Sequence, residues 1–405
     1  MATIAVIGTL DSKGHEHAFV AEEIRKRGHQ AILVDAGTLG DPQVKPDRTR
    51  DDVLKAAALQ LPEIEDRGQR VGVMAEALPL FLTQLVEGGE IDGVISLGGG
   101  GGTAIATAGM RALPVGFPKL MVSTLASGNT AHYVGTKDIV MMPSIVDVAG
   151  LNRISRMVFA RAAGAICGMV ETEIDEKEAK PLIVASMFGN TTDLVNMAKD
   201  LLEEEGYEVL VFHATGTGGK TMESLIESGM VSGVLDLTTT EWADELVGAT
   251  LSAGPERMDA MTKAGIPAVV APGCLDMANY GERESVPKEL EGRNFYIHNP
   301  QVTLMRTNAD ECAKLGKIMA EKANANDAPV SIMMPKKAIS VISAEGQPFH
   351  DVEADDALFC AIRENANVEV CEFDEEINSP AFAQACAAKL LELMKTGQTG
   401  GSTQS

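Results

Sequence analysis

Apolar residues along this chain fall into two alternating patterns. Short continuous runs bounded by polar residues and glycine or proline predict strands near residues 4–7, 30–34, 71–74, 93–97, 119–122 and 139–142 in the first half. In the second half they predict strands near 182–186, 208–213, 233–237, 268–271, 330–334 and 368–373. Between them lie stretches with helical spacing: 15–27, which stops at Gly28, then 103–111, and a long one over 152–170. Strand–helix alternation at this spacing predicts an α/β fold of two Rossmann-like, doubly wound domains with mainly parallel sheets.

The two halves also begin alike. Ile4-Ala-Val-Ile-Gly-Thr-Leu-Asp11 leads into a helical stretch ending at Lys26-Arg-Gly28. Pro181-Leu-Ile-Val-Ala-Ser186 leads through Phe188-Gly-Asn-Thr-Thr192 into one ending at Glu204-Glu-Gly206. Each is followed by another strand run, the pattern of a duplicated unit. The charged segment 171–180 reads as the linker, giving an N-terminal nucleotide-binding domain over 1–178 and a C-terminal domain over 179–396. The Gly/Ser/Thr/Gln tail 397–405 is expected to be disordered.

Composition changes this picture in three respects. Aromatic residues are 4% of the chain against 45% apolar, so the core must be aliphatic, which suits strands covered by helices on both faces. The net charge of −24 repels nucleic-acid backbones and anionic membranes, so neither is expected as a partner. Any polyanion site must then be built locally, from backbone N–H groups, helix ends and a few Lys or Arg. The six cysteines form no C-x-x-C pair, the N-terminus is too short and uncharged for a signal peptide, and no apolar run approaches ~20 residues. A cytoplasmic protein with reduced thiols is expected.

In open α/β sheets ligands bind beyond the carboxyl ends of the strands. Three such loops in the first half carry candidate chemistry: Gly8-Thr9-Leu10-Asp11-Ser12-Lys13-Gly14, Gly98-Gly99-Gly100-Gly101-Gly102-Thr103, and Ser123-Thr-Leu-Ala-Ser127-Gly128-Asn129-Thr130. Glycines let a backbone approach an oxyanion, and a helix start supplies partial positive charge. Hydroxyls of Thr103, Ser127 and Thr130 add donors, Lys13 is the point charge for a terminal phosphate, and Asp11 is the candidate to orient Mg2+ through water. Lys13 is the only cation in these loops, so a polyphosphate would need metal to balance it. The alternative for the glycine run is a plain tight turn; for Asp11, and for Asn129 and Thr130, it is helix capping. The turn Asp147-Val-Ala-Gly-Leu-Asn-Arg153 reads as a domain-boundary element rather than a site.

The second half offers His213 and Glu241 as acid–base candidates, with Arg306 beside them in a mixed-charge rim. Its Gly218-Gly219-Lys220-Thr221 is not a phosphate-binding P-loop, because Ala214 stands where the first glycine is required.

These loops together resemble the tomato mosaic virus resistance protein family, the Tm-one-like ATP-binding domain family of bacterial, fungal and plant proteins. The stretches that carry it include Ile7-Gly-Thr-Leu-Asp-Ser-Lys13, Leu97-Gly-Gly-Gly-Gly-Gly-Thr103, Asp147-Val-Ala-Gly-Leu-Asn-Arg153, Phe212-His-Ala-Thr-Gly-Thr-Gly-Gly219, Val234-Leu-Asp-Leu-Thr-Thr-Thr-Glu241 and Leu304-Met-Arg-Thr307. The resemblance runs in order over residues 1–395 and implies ATP in the N-terminal domain and self-association into homodimers. It supplies a ligand but no reaction. The leading expectation is an ATP-dependent metabolic enzyme, with Lys13, His213, Glu241 and Arg306 as catalytic residues, acting on a small acidic metabolite at an interdomain cleft. The alternative is a non-catalytic, ATP-responsive binding protein. A kinase with a Gly-Gly-Asp-Gly-Thr loop is disfavoured because glycine replaces the acidic residue, and no G-x-G-x-x-G opens the first unit as a nicotinamide dehydrogenase would need.

Overall fold

The computed structural model describes residues 1–63, 66–173 and 179–400, the side chains of 397–400 excepted. The expected linker residues 174–178 and the last five residues of the expected tail lie outside the described residues. The chain divides into two compact units, Met1–Glu176 and Lys177–Ser405.

The first unit runs β1 (Thr3–Gly8), α1 (Leu10–Arg25), β2 (Gln30–Asp35), α2 (Arg50–Ala56), α3 (Arg67–Glu87), β3 (Gly93–Gly98), α4 (Gly100–Ala112), β4 (Lys119–Ser123), α5 (Ala131–Val134), β5 (Val140–Pro143) and α6 (Arg153–Glu171). Its five strands form one parallel sheet in the order β2-β1-β3-β4-β5. Alternate residues of each inner strand feed two different cores. Ile4 and Val6 pack with α1 and α6 residues such as Ile24 and Phe159, whereas Ala5 and Ile7 pack with α3 and α4 residues such as Leu82 and Met110. The period-two alternation therefore buries both faces, and the strands read as continuous apolar runs for that reason.

The second unit runs β6 (Leu182–Met187), α7 (Thr192–Glu204), β7 (Glu208–His213), α8 (Thr217–Glu227), β8 (Val231–Thr238), α9 (Glu241–Val247), α10 (Asp259–Ala264), β9 (Ala268–Gly273), β10 (Met277–Tyr280), β11 (Phe295–Asn299), β12 (Val302–Arg306), α11 (Ala309–Asn324), β13 (Val330–Pro335), α12 (Val352–Asn365), β14 (Glu369–Phe373) and α13 (Pro380–Gly400). Six strands make a parallel sheet in the order β14-β13-β9-β8-β6-β7. Numbered within this sheet alone, its first five strands repeat the 2-1-3-4-5 order of the first sheet. Two mainly parallel α/β sheets are thus present, as the alternation of runs predicts.

Three local expectations are corrected. Residues 71–74 are not a strand but lie inside α3, whose buried positions Met74, Ala77, Leu78, Phe81, Leu82 and Leu85 follow helical spacing. Helix α4 begins at Gly100 rather than Thr103, so three of the five glycines belong to its first turn. A separate antiparallel sheet, β10-β12-β11, is inserted between β9 and α11 and was not expected. Among the described residues no helix is long and apolar enough to cross a membrane.

Candidate functional site

In a 2-1-3-4-5 sheet the chain winds in opposite senses from β1 and β3, so a crevice opens beyond the carboxyl ends of these neighbours. A cavity of about 390 Å3 lies there in the first unit. Its walls are the β1–α1 turn (Thr9, Asp11, Ser12, Lys13), the segment after β2 (Thr38, Leu39, Gly40), the glycines 98–102, the start of α3 (Arg67, Val71) and Asp147.

The glycine segment is the centre of this arrangement. No side chain caps the N-terminus of α4, and Thr103 N–H is its first amide bonded back, to Gly99 O at 2.8 Å. The amides ahead of it have no acceptor within the helix, and they add to the positive end of its dipole. None of the five glycines has a positive φ. A Cβ on Gly98 would press on Gly102 Cα at 3.0 Å, but one on Gly100 would meet no atom within 4 Å. One on Gly101 would meet Val71 Cγ2 only at 3.5 Å and Arg67 Nη2 at 3.9 Å. Backbone conformation and packing thus account for glycine at 98, and not at 100 or 101.

Two cations face this helix end. Lys13 sits where α1 is interrupted, with non-helical φ −136° and ψ 26°. Its carbonyl is held by Nδ1 of His17 at 2.7 Å, and burial pushes the His17 imidazole below its ordinary pKa, so a neutral ring donates there. Gly8 admits that ring: a Cβ at Gly8 would stand 2.2 Å from His17 Nε2. Arg67 enters from the first turn of α3, which Asp66 caps by accepting from Gln69 N–H at 3.0 Å. Among the described residues no carboxylate pairs with Lys13 or Arg67.

The other candidates in this unit divide. Asp11 lines the cavity, but its Oδ2 accepts from the N–H groups of Thr38 (3.0 Å) and Leu39 (2.9 Å), so it shapes the 38–40 wall and does not cap its own helix. Thr103 is fully buried and its hydroxyl bonds Ser123 Oγ at 2.7 Å, beneath the cavity rather than in it. Ser127 lines a neighbouring cavity of about 560 Å3 with Thr124, Pro143, Ser144, Ile145, Val146 and Asp147. Gly128, Asn129 and Thr130 line neither; Asn129 Oδ1 accepts from Ala131 N–H at 3.1 Å, at the start of α5. Asp147 borders both cavities, so the turn read as a domain boundary contributes to the site. Glu16 on α1 fixes that turn by accepting from Gly150 N–H at 2.5 Å. Among the described residues no cluster of three or more His, Cys, Asp or Glu is poised to hold a metal ion.

The second unit treats its candidates differently. Glu241 is buried; Oε1 accepts from Gly216 N–H (2.6 Å) and Gly219 N–H (3.1 Å), and Oε2 from Arg257 Nε (2.8 Å). Both oxygens are engaged within the protein, which corrects its reading as an acid–base group: it is an internal anion at the start of α8. Arg306 is also buried, bonding Asp355 Oδ1 at 2.7 Å and Phe349 O at 2.8 Å. It is a structural tie of the inserted sheet. His213 is exposed at the end of β7, its ring 5.3 Å from that of Phe188.

Arg67, Thr38 and Asp147 are among the lining residues that sequence reasoning missed, with Ser12, Leu39, Gly40 and Val71. Asp66 before a helical stripe would have signalled the start of α3, and with it Arg67.

Two relatives resemble this chain over nearly its whole length. A UPF0261 protein of Clostridium tetani is 47% identical over 399 residues, covering 97% of this chain and 99% of its own. The ToMV resistance protein Tm-1(GCR237) of Solanum lycopersicum is 36% identical, covering 96% of this chain and 55% of its own length. Among solved structures, a thioesterase domain from the curacin biosynthetic pathway covers 54% of this chain and 92% of its own at 11% identity, with a TM-score of 0.26, too low to carry any argument. Residues 2–175 match the N-terminal domain and residues 180–394 the C-terminal domain of the uncharacterised protein family UPF0261, and the chain belongs to that family.

Proposed function

We propose that the first unit binds a nucleoside polyphosphate, ATP with Mg2+, with its phosphates on the N-terminus of α4. The observation that carries this reading is the pair Gly100 and Gly101. Neither φ nor packing requires glycine there, and a bare helix start opening on a cavity is what close approach of an oxyanion requires. Lys13 and Arg67 supply countercharge in an otherwise strongly acidic chain. Asp11, whose Oδ1 makes no hydrogen bond among the described residues, is the carboxylate at hand to orient water on a magnesium ion.

The use made of the nucleotide has two readings. As an ATP-dependent enzyme on a small acidic metabolite, the chain would rely on Lys13 at the phosphates, with His213 as the remaining acid–base candidate. As an ATP-responsive binding protein it would need no such group. The engagement of Glu241 and Arg306 in buried ion pairs favours the second. Homodimerisation and a cytoplasmic location rest on the resemblance and the unpaired cysteines, and belong to the same proposal.

Titration calorimetry with Mg-ATP tests the site. Gly101→Asp places a carboxylate beside Val71 and Arg67, where the terminal phosphates would lie, and should weaken ATP at least 100-fold with the far-ultraviolet spectrum unchanged. Equal affinity in both proteins would remove the glycine helix from the site.

A further inference from the structure

Beside the phosphate cavity lies the second one, beyond the ends of β4 and β5. The two share Asp147, and the partition between them is thin: a Cβ on Gly99 would stand 3.7 Å from Thr124 Oγ1. Their linings differ. The first is dominated by glycines and polar groups, with Lys13, Arg67 and two carboxylates and only Leu39 and Val71 apolar; the second has an apolar wall of Pro143, Ile145 and Val146 beside the hydroxyls of Ser123, Thr124, Ser127 and Ser144.

Ile145 is the unusual residue. Its φ of +66° is in the left-handed region, which a β-branched side chain rarely adopts, and it is 75% exposed. Strain and exposure both disfavour isoleucine at this position, and packing within the protein offsets neither. The turn is held rigidly all the same. Ser144 N–H donates to Ser123 O at 3.1 Å and Ser144 Oγ to Val146 O at 2.6 Å, which fixes the turn against the end of β4. Asp147, which follows, has no hydrogen-bond or ion-pair partner among the described residues and is solvent-exposed. A strained apolar side chain presented outward, next to a free carboxylate, is a surface arranged for something outside the chain.

We propose that this second cavity is the nucleoside subsite of the same ligand, an inference that rests on the phosphate reading above. The purine ring lies on the wall formed by Pro143, Ile145 and Val146, and Asp147, at the junction, accepts hydrogen bonds from the vicinal hydroxyls of the ribose. A carboxylate placed there suits a diol and repels a second phosphate, so the ligand has one phosphate end and one nucleoside end. The volume of about 560 Å3 is within the range of small-molecule sites.

The test compares Mg-ATP with magnesium tripolyphosphate, which has the phosphates alone, by calorimetry on the full chain. Wild type should bind ATP at least tenfold more tightly than tripolyphosphate. Ile145→Gly relieves the left-handed strain, so its Tm should be no lower than that of wild type, while ATP weakens five- to tenfold and tripolyphosphate does not change. Ile145→Asn, which also tolerates this conformation, should behave alike. An Ile145 that only packed would give a lower Tm and unchanged binding, overturning the assignment. Equal affinity of wild type for ATP and tripolyphosphate overturns the nucleoside subsite and leaves the phosphate site standing. Binding of neither overturns both.

Discussion

The two sheets share a strand order and differ at the point where that order reverses. In the first unit the crevice beyond β1 and β3 is walled by glycines and lined by Lys13 and Arg67, neither of them paired with a carboxylate among the described residues. In the second, the corresponding ends of β6 and β8 are packed with hydroxyls and charges. Ser186 Oγ bonds Asp236 at 2.6 Å, Thr191 Oγ1 bonds Thr238 Oγ1 at 2.7 Å, and Thr238, Thr239 and Thr240 are all fully buried where the first unit has glycines. The helix starts do not carry the contrast: α9, which follows β8 as α4 follows β3, also begins without a side-chain cap, and it is the start of α8 that the carboxylate of Glu241 serves. One scaffold thus yields an open crevice in one unit and a crevice packed with polar side chains in the other. Strand order locates a crevice; side-chain volume decides whether it admits a ligand.

The sharpest way to break this contrast is to remove the cation that lets the second crevice be filled. Arg257 is buried among Glu223, Asp236 and Glu241, with contacts of 2.8, 2.6 and 2.8 Å. Arg257→Met removes the countercharge of three carboxylates that keep only their neutral hydrogen-bond donors, a defect of roughly 3–5 kcal/mol. The single tryptophan, Trp242, is buried in this unit, so its fluorescence follows the unfolding of this unit alone. The midpoint in urea should fall steeply while nucleotide titrations of the folded protein do not change. A loss of nucleotide affinity in the folded variant would mean that the second unit takes part in nucleotide binding.

A subtler effect comes from Asp244 on α9. Burial raises its carboxyl from the ordinary 3.8 to about 6, against the opposing hydrogen bonds from Asn279 and Leu251. The folded state therefore keeps this proton to a higher pH than the unfolded state. The stabilisation is fully present below pH ~4 and is lost as pH rises through ~6, a swing of roughly 3 kcal/mol. Asp244→Asn lacks that titration, so the stability of wild type relative to this variant should fall between pH 4 and 7 by about that amount. A difference that is flat with pH, again read from Trp242, would refute the buried ionisation.

Much of this architecture was legible in the chain. Strands buried on both faces leave continuous apolar runs, and eleven of the twelve expected runs coincide with strands of the two parallel sheets. The exception, 71–74, fails for a physical reason: four apolar or small residues between Arg70 and Ala75 do not separate a strand from one turn of a buried helix, and only the longer stripe through Leu85 does. The inserted β10-β12-β11 sheet escaped because its strands are short and half exposed at β11, with no clean alternation. In the site, glycines 98–102, Thr9 and Lys13 stood out as loop chemistry after strands. Arg67 and Asp147 did not, because they enter from elements whose positions depend on the tertiary fold. Glu241 and Arg306 were read as reactive since sequence shows a charge and conceals its partner; Arg257 lies sixteen residues beyond Glu241 and Asp355 forty-nine beyond Arg306.

The smallest effect is the most discriminating for the crevice of the first unit. A Cβ at Gly100 meets nothing within 4 Å and φ there is not positive, so Ala fits the helix without strain. Replacing glycine by alanine at such a position lowers the entropy of the unfolded chain and stabilises by about 0.4–1 kcal/mol. Gly100→Ala should therefore slow hydrogen exchange across α4 and raise the Tm of the first unit slightly. The same methyl group would stand between the first helix amides and an incoming oxyanion, so ATP should bind several-fold more weakly. A gain in stability with a loss in affinity separates glycine kept for a ligand from glycine kept for the fold. A gain in both, or a loss of stability, would place Gly100 among the residues that merely build the helix.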